Sequence, residues 1–143
     1  MKIIASFILA IVVAGFAGDA PYNPTPDRYV DIHHSKIDIR VDLDDSTVTG
    51  NVTHIMSSLR TDLYIIQLDC EDTEIQQVLI NNNRPLEYSL NGPKLNIELD
   101  RTYGFDDTLT LSIDYSAKPK KGLYFVRSDK GYPNKNNQAW TQG

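Results

Sequence analysis

The stretch Lys36-Ile37-Asp38-Ile39-Arg40-Val41-Asp42-Leu43 decides the fold class. Ile37, Ile39, Val41 and Leu43 are apolar at every second position, and Lys36, Asp38, Arg40 and Asp42 fill the gaps with charge. A strand sends successive side chains to opposite faces, so this order gives a half-buried strand, whereas a helix would mix the two sets. Asp44-Asp45-Ser46 follows, residues whose side chains bond their own backbone in turns, and Val48, Val52 and Met56 resume the alternation as a hairpin partner. Gly50 interrupts that second strand and is read as a bulge.

Downstream the same period recurs. Leu63 to Cys70 (LYIIQLDC) is apolar on both parities, as a central strand covered on both faces would be. Ile75, Val78 and Ile80 lead into the turn residues Asn81 to Pro85. Leu86 to Leu90 and Leu95 to Leu99 flank Asn91-Gly92-Pro93, and Asn-Gly is a strong hairpin signal. Leu109, Leu111, Ile113 and Tyr115 alternate with polar residues, and Gly122 to Val126 gives a last short apolar run. Seven or eight strands at this spacing predict an all-β fold, a sandwich or a saddle-like curved sheet, with no helix inside the domain. After Val126 the chain becomes polar, yet it carries its only tryptophan, Trp140, in that segment. A large aromatic there predicts that the segment packs onto something.

The chain has 143 residues, enough for one packed domain. Its 14 Lys+Arg against 19 Asp+Glu, with no basic stripe, exclude a nucleic-acid partner, because phosphate binding needs clustered cations. A single cysteine, Cys70, excludes a disulfide framework within the chain, and burial in a strand is the expectation for it.

Residues 1–17 have the layout of a secretory signal peptide. Lys2 precedes an apolar run from Ile3 to Phe16, and Gly15 and Ala17 supply small residues at −3 and −1 of a cut. A retained membrane anchor is the competing reading, but the run falls short of the ~20 residues a span needs. Export to the periplasm, cell surface or medium follows as the expectation. Residues 18–28, with Pro21, Pro24 and Pro26, read as a linker, and 29–143 as the β domain.

Catalytic signatures are missing. There is no H-E-x-x-H, no G-x-S-x-G elbow and no Gly-rich phosphate loop. His33 and His34 are adjacent in a predicted strand and point to opposite faces. The acids Asp69, Glu71, Asp72 and Glu74 lack the glycine-punctuated spacing of a calcium loop and read as a solvated turn. Lys118, Lys120 and Lys121 read as a solvated basic turn. Asn51-Val52-Thr53 matches a glycosylation sequon. No catalytic residue and no metal ligand is assigned to this chain.

Three motifs in order carry a resemblance. His33 to Thr53, with Val48, Gly50 and Val52 as a V-x-G-x-V pattern, is similar to the opening hairpin of aminopeptidase N-like zinc metallopeptidases, the gluzincin aminopeptidases. Gly122-Leu123-Tyr124-Phe125 resembles their G-L-Y segment, and Ala139 to Gly143 resembles their T-Q-x-E/Q segment. The resemblance runs from about Asp31 to Gly143. It implies the N-terminal β domain of such an enzyme, packed on a thermolysin-like catalytic domain and meeting the N-terminus of a peptide substrate. It also implies that Gln142 contacts the substrate, its side-chain oxygen accepting a hydrogen bond from the free α-amino group. The G-x-M-E-N and H-E-x-x-H segments of the family are absent here. Zinc is therefore expected in the full-length parent and not on this chain, which is expected to be truncated before the catalytic domain and inactive alone. Two other readings stand beside this one: a standalone exported β-sandwich that binds a partner or sugar, and a relative whose later domain has lost its zinc ligands.

Overall fold

The computed structural model describes residues 27–81, 83–128, 131 and 133–141. Within them lie ten strand segments: β1 (Val30–Asp42), β2 (Thr47–Ser58), β3 (Leu63–Asp69), β4 (Thr73–Ile80), β5 (Arg84–Pro85), β6 (Tyr88–Asn91), β7 (Lys94–Tyr103), β8 (Thr108–Ala117), β9 (Leu123–Val126) and β10 (Gln138–Thr141). No described segment is helical. The stretch read as a signal peptide, residues 1–17, and all of the predicted linker except Asp27 and Arg28 lie outside the described residues. The sequence reading finds eight of the ten segments. It passes over β5, whose two residues include a proline, and β10, which sits in the polar segment.

All pairings are antiparallel. One sheet has five strands in the order β1-β2-β8-β4-β5, a second has three in the order β3-β7-β6, and β9 with β10 forms a separate two-stranded ribbon. The first two sheets face each other over one core. Met56, Val78, Ile80, Leu109, Leu111 and Ile113 come from the larger sheet, and Leu63, Ile66, Leu95, Ile97, Leu99 and Tyr103 from the smaller. These side chains interdigitate as the inner faces of a sandwich.

Turn chemistry places the hairpins. The Asp42 carboxylate accepts the backbone N–H groups of Asp44 and Asp45, each at 2.9 Å, and Ser46 takes a φ of 55° to close β1 onto β2. Gly92, at φ 57°, closes β6 onto β7 as the Asn-Gly pair predicts. In β4 the register shifts between Ile75 and Gln77, so Ile75 and Val78 both turn toward the core although they are three residues apart.

Three expectations are corrected. The Leu63–Asp69 strand is an edge strand of the smaller sheet, not a central one, and Tyr64 and Ile65 are exposed because no layer covers that sheet's outer face among the described residues. Gly50 is no bulge. It pairs in register with Ile39 and Tyr115, and the added Cβ of any other residue would lie 2.7 Å from the Asp38 carbonyl oxygen and 3.2 Å from the Tyr115 ring. The bulge falls instead at His33 on β1. Cys70 lies just after β3 and is only partly buried against the core.

Candidate functional site

The two sheets are unequal, and the larger one overhangs. Val48, Gly50, Val52 and Tyr115 continue the core-facing side of the five-stranded sheet outward to Ile37, Ile39 and Val41 on β1. Ile37 and Ile39 are 62% and 58% exposed, and Val41 is exposed too. The alternation in the sequence therefore sorts the strand's two faces, but the apolar face of β1 meets no core among the described residues. Half-burial, which the alternation predicts, is not met because β3-β7-β6 stops short of β1.

Where the overhang meets the smaller sheet, a cleft of about 520 Å³ opens, lined by Ile37, Val52, His54, Cys70, Ile75 and Tyr115, among others. His54 Nδ1 lies 2.7 Å from the Ser35 hydroxyl, and burial pushes its imidazole below the ordinary value. Burial pushes the Cys70 thiol up, against a weaker lowering by its bond to the Thr73 carbonyl. His54 is bonded to Ser35 and Cys70 to the Thr73 carbonyl rather than to each other, and apolar side chains make up much of the cleft's lining.

The β9–β10 ribbon is tied to the β1–β2 turn. Arg127 donates to the Asp44 carbonyl and, at 2.8 Å, to the Ser46 hydroxyl, and Asn137 Nδ2 donates to the Asp44 carboxylate at 3.0 Å. On the ribbon Trp140 pairs with Tyr124, their rings stacked with centroids 4.8 Å apart. The packing that the isolated tryptophan predicts is met here only within the ribbon itself, against Tyr124. Both rings stay exposed on their other sides. Gln142 lies outside the described residues, two positions beyond Trp140.

The remaining candidates disperse. Asp69 pairs with Lys94, Asp72 with Lys120, and Glu74 accepts from Ser116, so the acid cluster is a set of exposed pairs. His33 meets the Ser57 hydroxyl at 3.0 Å. Among the described residues no group of three or more His, Cys, Asp or Glu side chains could hold a metal ion. Asn51 lies mid-strand, its Nδ2 donating to Ser112 and Asp114 and its Oδ1 accepting from the sequon's own Thr53.

A larger sheet, a smaller sheet on its face and a trailing ribbon make the β-domain fold found in M1 aminopeptidase-like proteins. The M1 zinc metallopeptidase of Deinococcus radiodurans superposes with a TM-score of 0.60 at 18% identity, over 69% of this chain and 26% of that one. Yeast leukotriene A4 hydrolase in complex with bestatin gives 0.62 at 20% identity, over 76% of this chain and 19% of that one. In sequence, a 69-residue stretch covering 43% of this chain is 33% identical to transcription initiation factor TFIID subunit 2 of Saccharomyces cerevisiae, of which it spans 5%. No protein-family model matches the chain. This chain thus corresponds to about a quarter or less of these solved structures and a far smaller part of the curated relative.

Proposed function

We propose that this chain is the N-terminal β domain of an exported zinc aminopeptidase, that it packs on the catalytic domain of the same polypeptide, and that Gln142 meets the substrate's α-amino group. The fold match to M1 zinc metallopeptidases over two thirds or more of the chain carries the reading. One of those metallopeptidases is bound to a Tyr-Ser-Ala substrate, which supports a peptide as the parent's substrate. The uncovered apolar face of β1 and the exposed Tyr124–Trp140 pair suit a domain that expects a neighbour. Zinc belongs to the parent, because a catalytic site needs three protein ligands and an open position.

An amide suits the role of Gln142, since it offers an acceptor to an ammonium without adding a full charge beside zinc-bound water. Reading the gene on from Gly143 tests the proposal. An in-frame H-E-x-x-H supports it, and an immediate stop codon overturns it. In the full-length parent, Gln142→Ala is expected to lower kcat/KM about 10- to 100-fold at little cost in thermal stability, as loss of a hydrogen bond to a charged group does. Mature protein recovered outside the cell is expected to begin at or near Gly18.

The 33% identity to a subunit of a transcription initiation factor favours a second reading. In it the parent has kept this domain for assembly and lost its zinc ligands. A degraded H-E-x-x-H downstream, with no hydrolysis of aminoacyl anilides, would select that reading.

A further inference from the structure

The outer edge of β1 pairs with no other described strand, and its sequence is complementary to itself. β1 ends the order β1-β2-β8-β4-β5, so along one side its backbone N–H and C=O groups have no strand partner among the described residues. From His34 to Asp42 it runs in unbroken register with β2, between the bulge at His33 and the turn that Asp42 caps. A regular open edge of this length is a template for another strand.

Place a second copy antiparallel to the first, with the two-fold axis at Ile39. Lys36 then faces Asp42, Ile37 faces Val41, Asp38 faces Arg40 and Ile39 faces itself, with each unlike pair repeated by symmetry. Every charge meets the opposite charge, and every apolar residue meets an apolar one. Directly opposite residues in antiparallel strands share a face, so both apolar faces lie on the same side.

Other registers fail. Centring on Asp38 puts it against itself and Lys36 against Arg40, and centring on Arg40 opposes it to itself and Asp38 to Asp42. Centring on Val41 leaves only Arg40 to Asp42 paired before the strand ends in its turn, while centring on Ile37 drives Arg40 against His34 and runs into the bulge. A slip of one residue turns one copy's apolar face to the other's charged face. Charges on an edge strand usually repel a second copy, and a run of one sign would do so here. Alternation of sign about a central isoleucine does the opposite.

The groups are available. Lys36 and Asp38 are exposed and bridged only to each other, at 2.6 Å, a contact of the kind that contributes little in water. Arg40 is exposed. Asp42 uses Oδ1 for its turn and keeps Oδ2 for a lysine.

We infer that two copies of this chain associate by antiparallel β1–β1 pairing centred on Ile39, joining their five-stranded sheets into one. The interface is isologous and closes at two copies.

Sedimentation equilibrium of the chain from Gly18 to Gly143 over about 10 μM to 1 mM tests it, a range suited to a small interface. The expected result is a reversible dimer. Arg40→Asp makes both symmetry-related Asp38 contacts repulsive and is expected to raise the dissociation constant about tenfold or more. The double exchange Asp38→Arg with Arg40→Asp restores the pairing and is expected to restore the dimer, which also shows that the substituted strand folds. A monomer throughout would overturn the proposal, and so would a dimer indifferent to Arg40→Asp or one the double exchange fails to rescue. Those last outcomes would place association elsewhere, for example on the apolar face of Ile37 and Ile39.

Discussion

Gly50 and Gly92 show two different reasons for a missing side chain. Gly50 has ordinary backbone but no room, with the Asp38 carbonyl and the Tyr115 ring closing on the site of a Cβ. Gly92 has room on every side but a φ of 57°. Gly50→Ala must push backbone and is expected to cost about 1–3 kcal/mol, whereas Gly92→Ala meets only left-handed strain of about 1 kcal/mol. Urea denaturation of both variants checks the order. The titrating residues act together in acid. Backbone N–H groups of Asp45 and Asp44 hold the Asp42 carboxyl below its ordinary value, and the Gly104 N–H and Arg101 do so for Asp107. Burial alone would raise Asp100, but the bonds from Arg84 and Tyr103 outweigh it and leave it lowered. A carboxyl depressed in the folded state stabilises the fold above its unfolded value, and that contribution is lost as pH falls through the folded one. His54 has the same sign. Its folded state favours the neutral ring, so below about 6.5 the unfolded chain takes up the proton first and stability declines. Stability is therefore expected to fall in two stages as the pH drops from 7 to 3. His54→Gln should flatten the upper stage and Asp107→Asn part of the lower, as read by denaturation midpoints at each pH.

At the scale of strands, period and position are separate facts. The alternation in Lys36–Leu43 and in Leu109–Tyr115 is equally regular, yet Leu109, Leu111 and Ile113 are buried while Ile37 and Ile39 stand in water. Sequence periodicity tells which side chains share a face, and what covers that face depends on where another sheet ends. For the same reason LYIIQLDC reads as an interior strand: its apolar residues on both parities do not reveal that the outer face lacks a layer among the described residues. The hairpin turns were legible because their chemistry is local, as at Asp42, Ser46 and Asn91-Gly92. The open cleft was not, because it joins residues from β1, β2, β4 and β8 of one sheet with Leu68 and Asp69 of β3 and Leu95 of β7 in the other. The Tyr124–Trp140 stack was half legible, as an aromatic with an unnamed partner. An energetic contrast follows. Ile97→Ala removes a fully buried side chain and is expected to cost about 2–5 kcal/mol, whereas Ile39→Ala is expected to stay within about 0.5 kcal/mol under conditions that keep the chain monomeric. Chemical denaturation of the two variants checks this.

At the scale of the whole molecule, the described residues form two layers of unequal width with a ribbon pinned to one turn, and far-UV circular dichroism is expected to be β-dominated. Its overhang leaves a signature in calorimetry. Unfolding normally adds apolar surface to water, and the heat capacity rises by about 12–15 cal/mol/K per residue. Ile37, Ile39, Val41, Tyr64, Ile65 and Leu90 are already hydrated in the native state and contribute little to that rise. The isolated chain is thus expected to show a heat-capacity increment below that range and a shallow urea slope for its length. A full increment in scanning calorimetry would mean that something already covers the overhang in solution. When a partner does cover it, the missing increment reappears as a negative heat capacity of association, and the stability curve narrows and rises. A domain built this way carries part of its hydrophobic driving force unspent until it meets its neighbour.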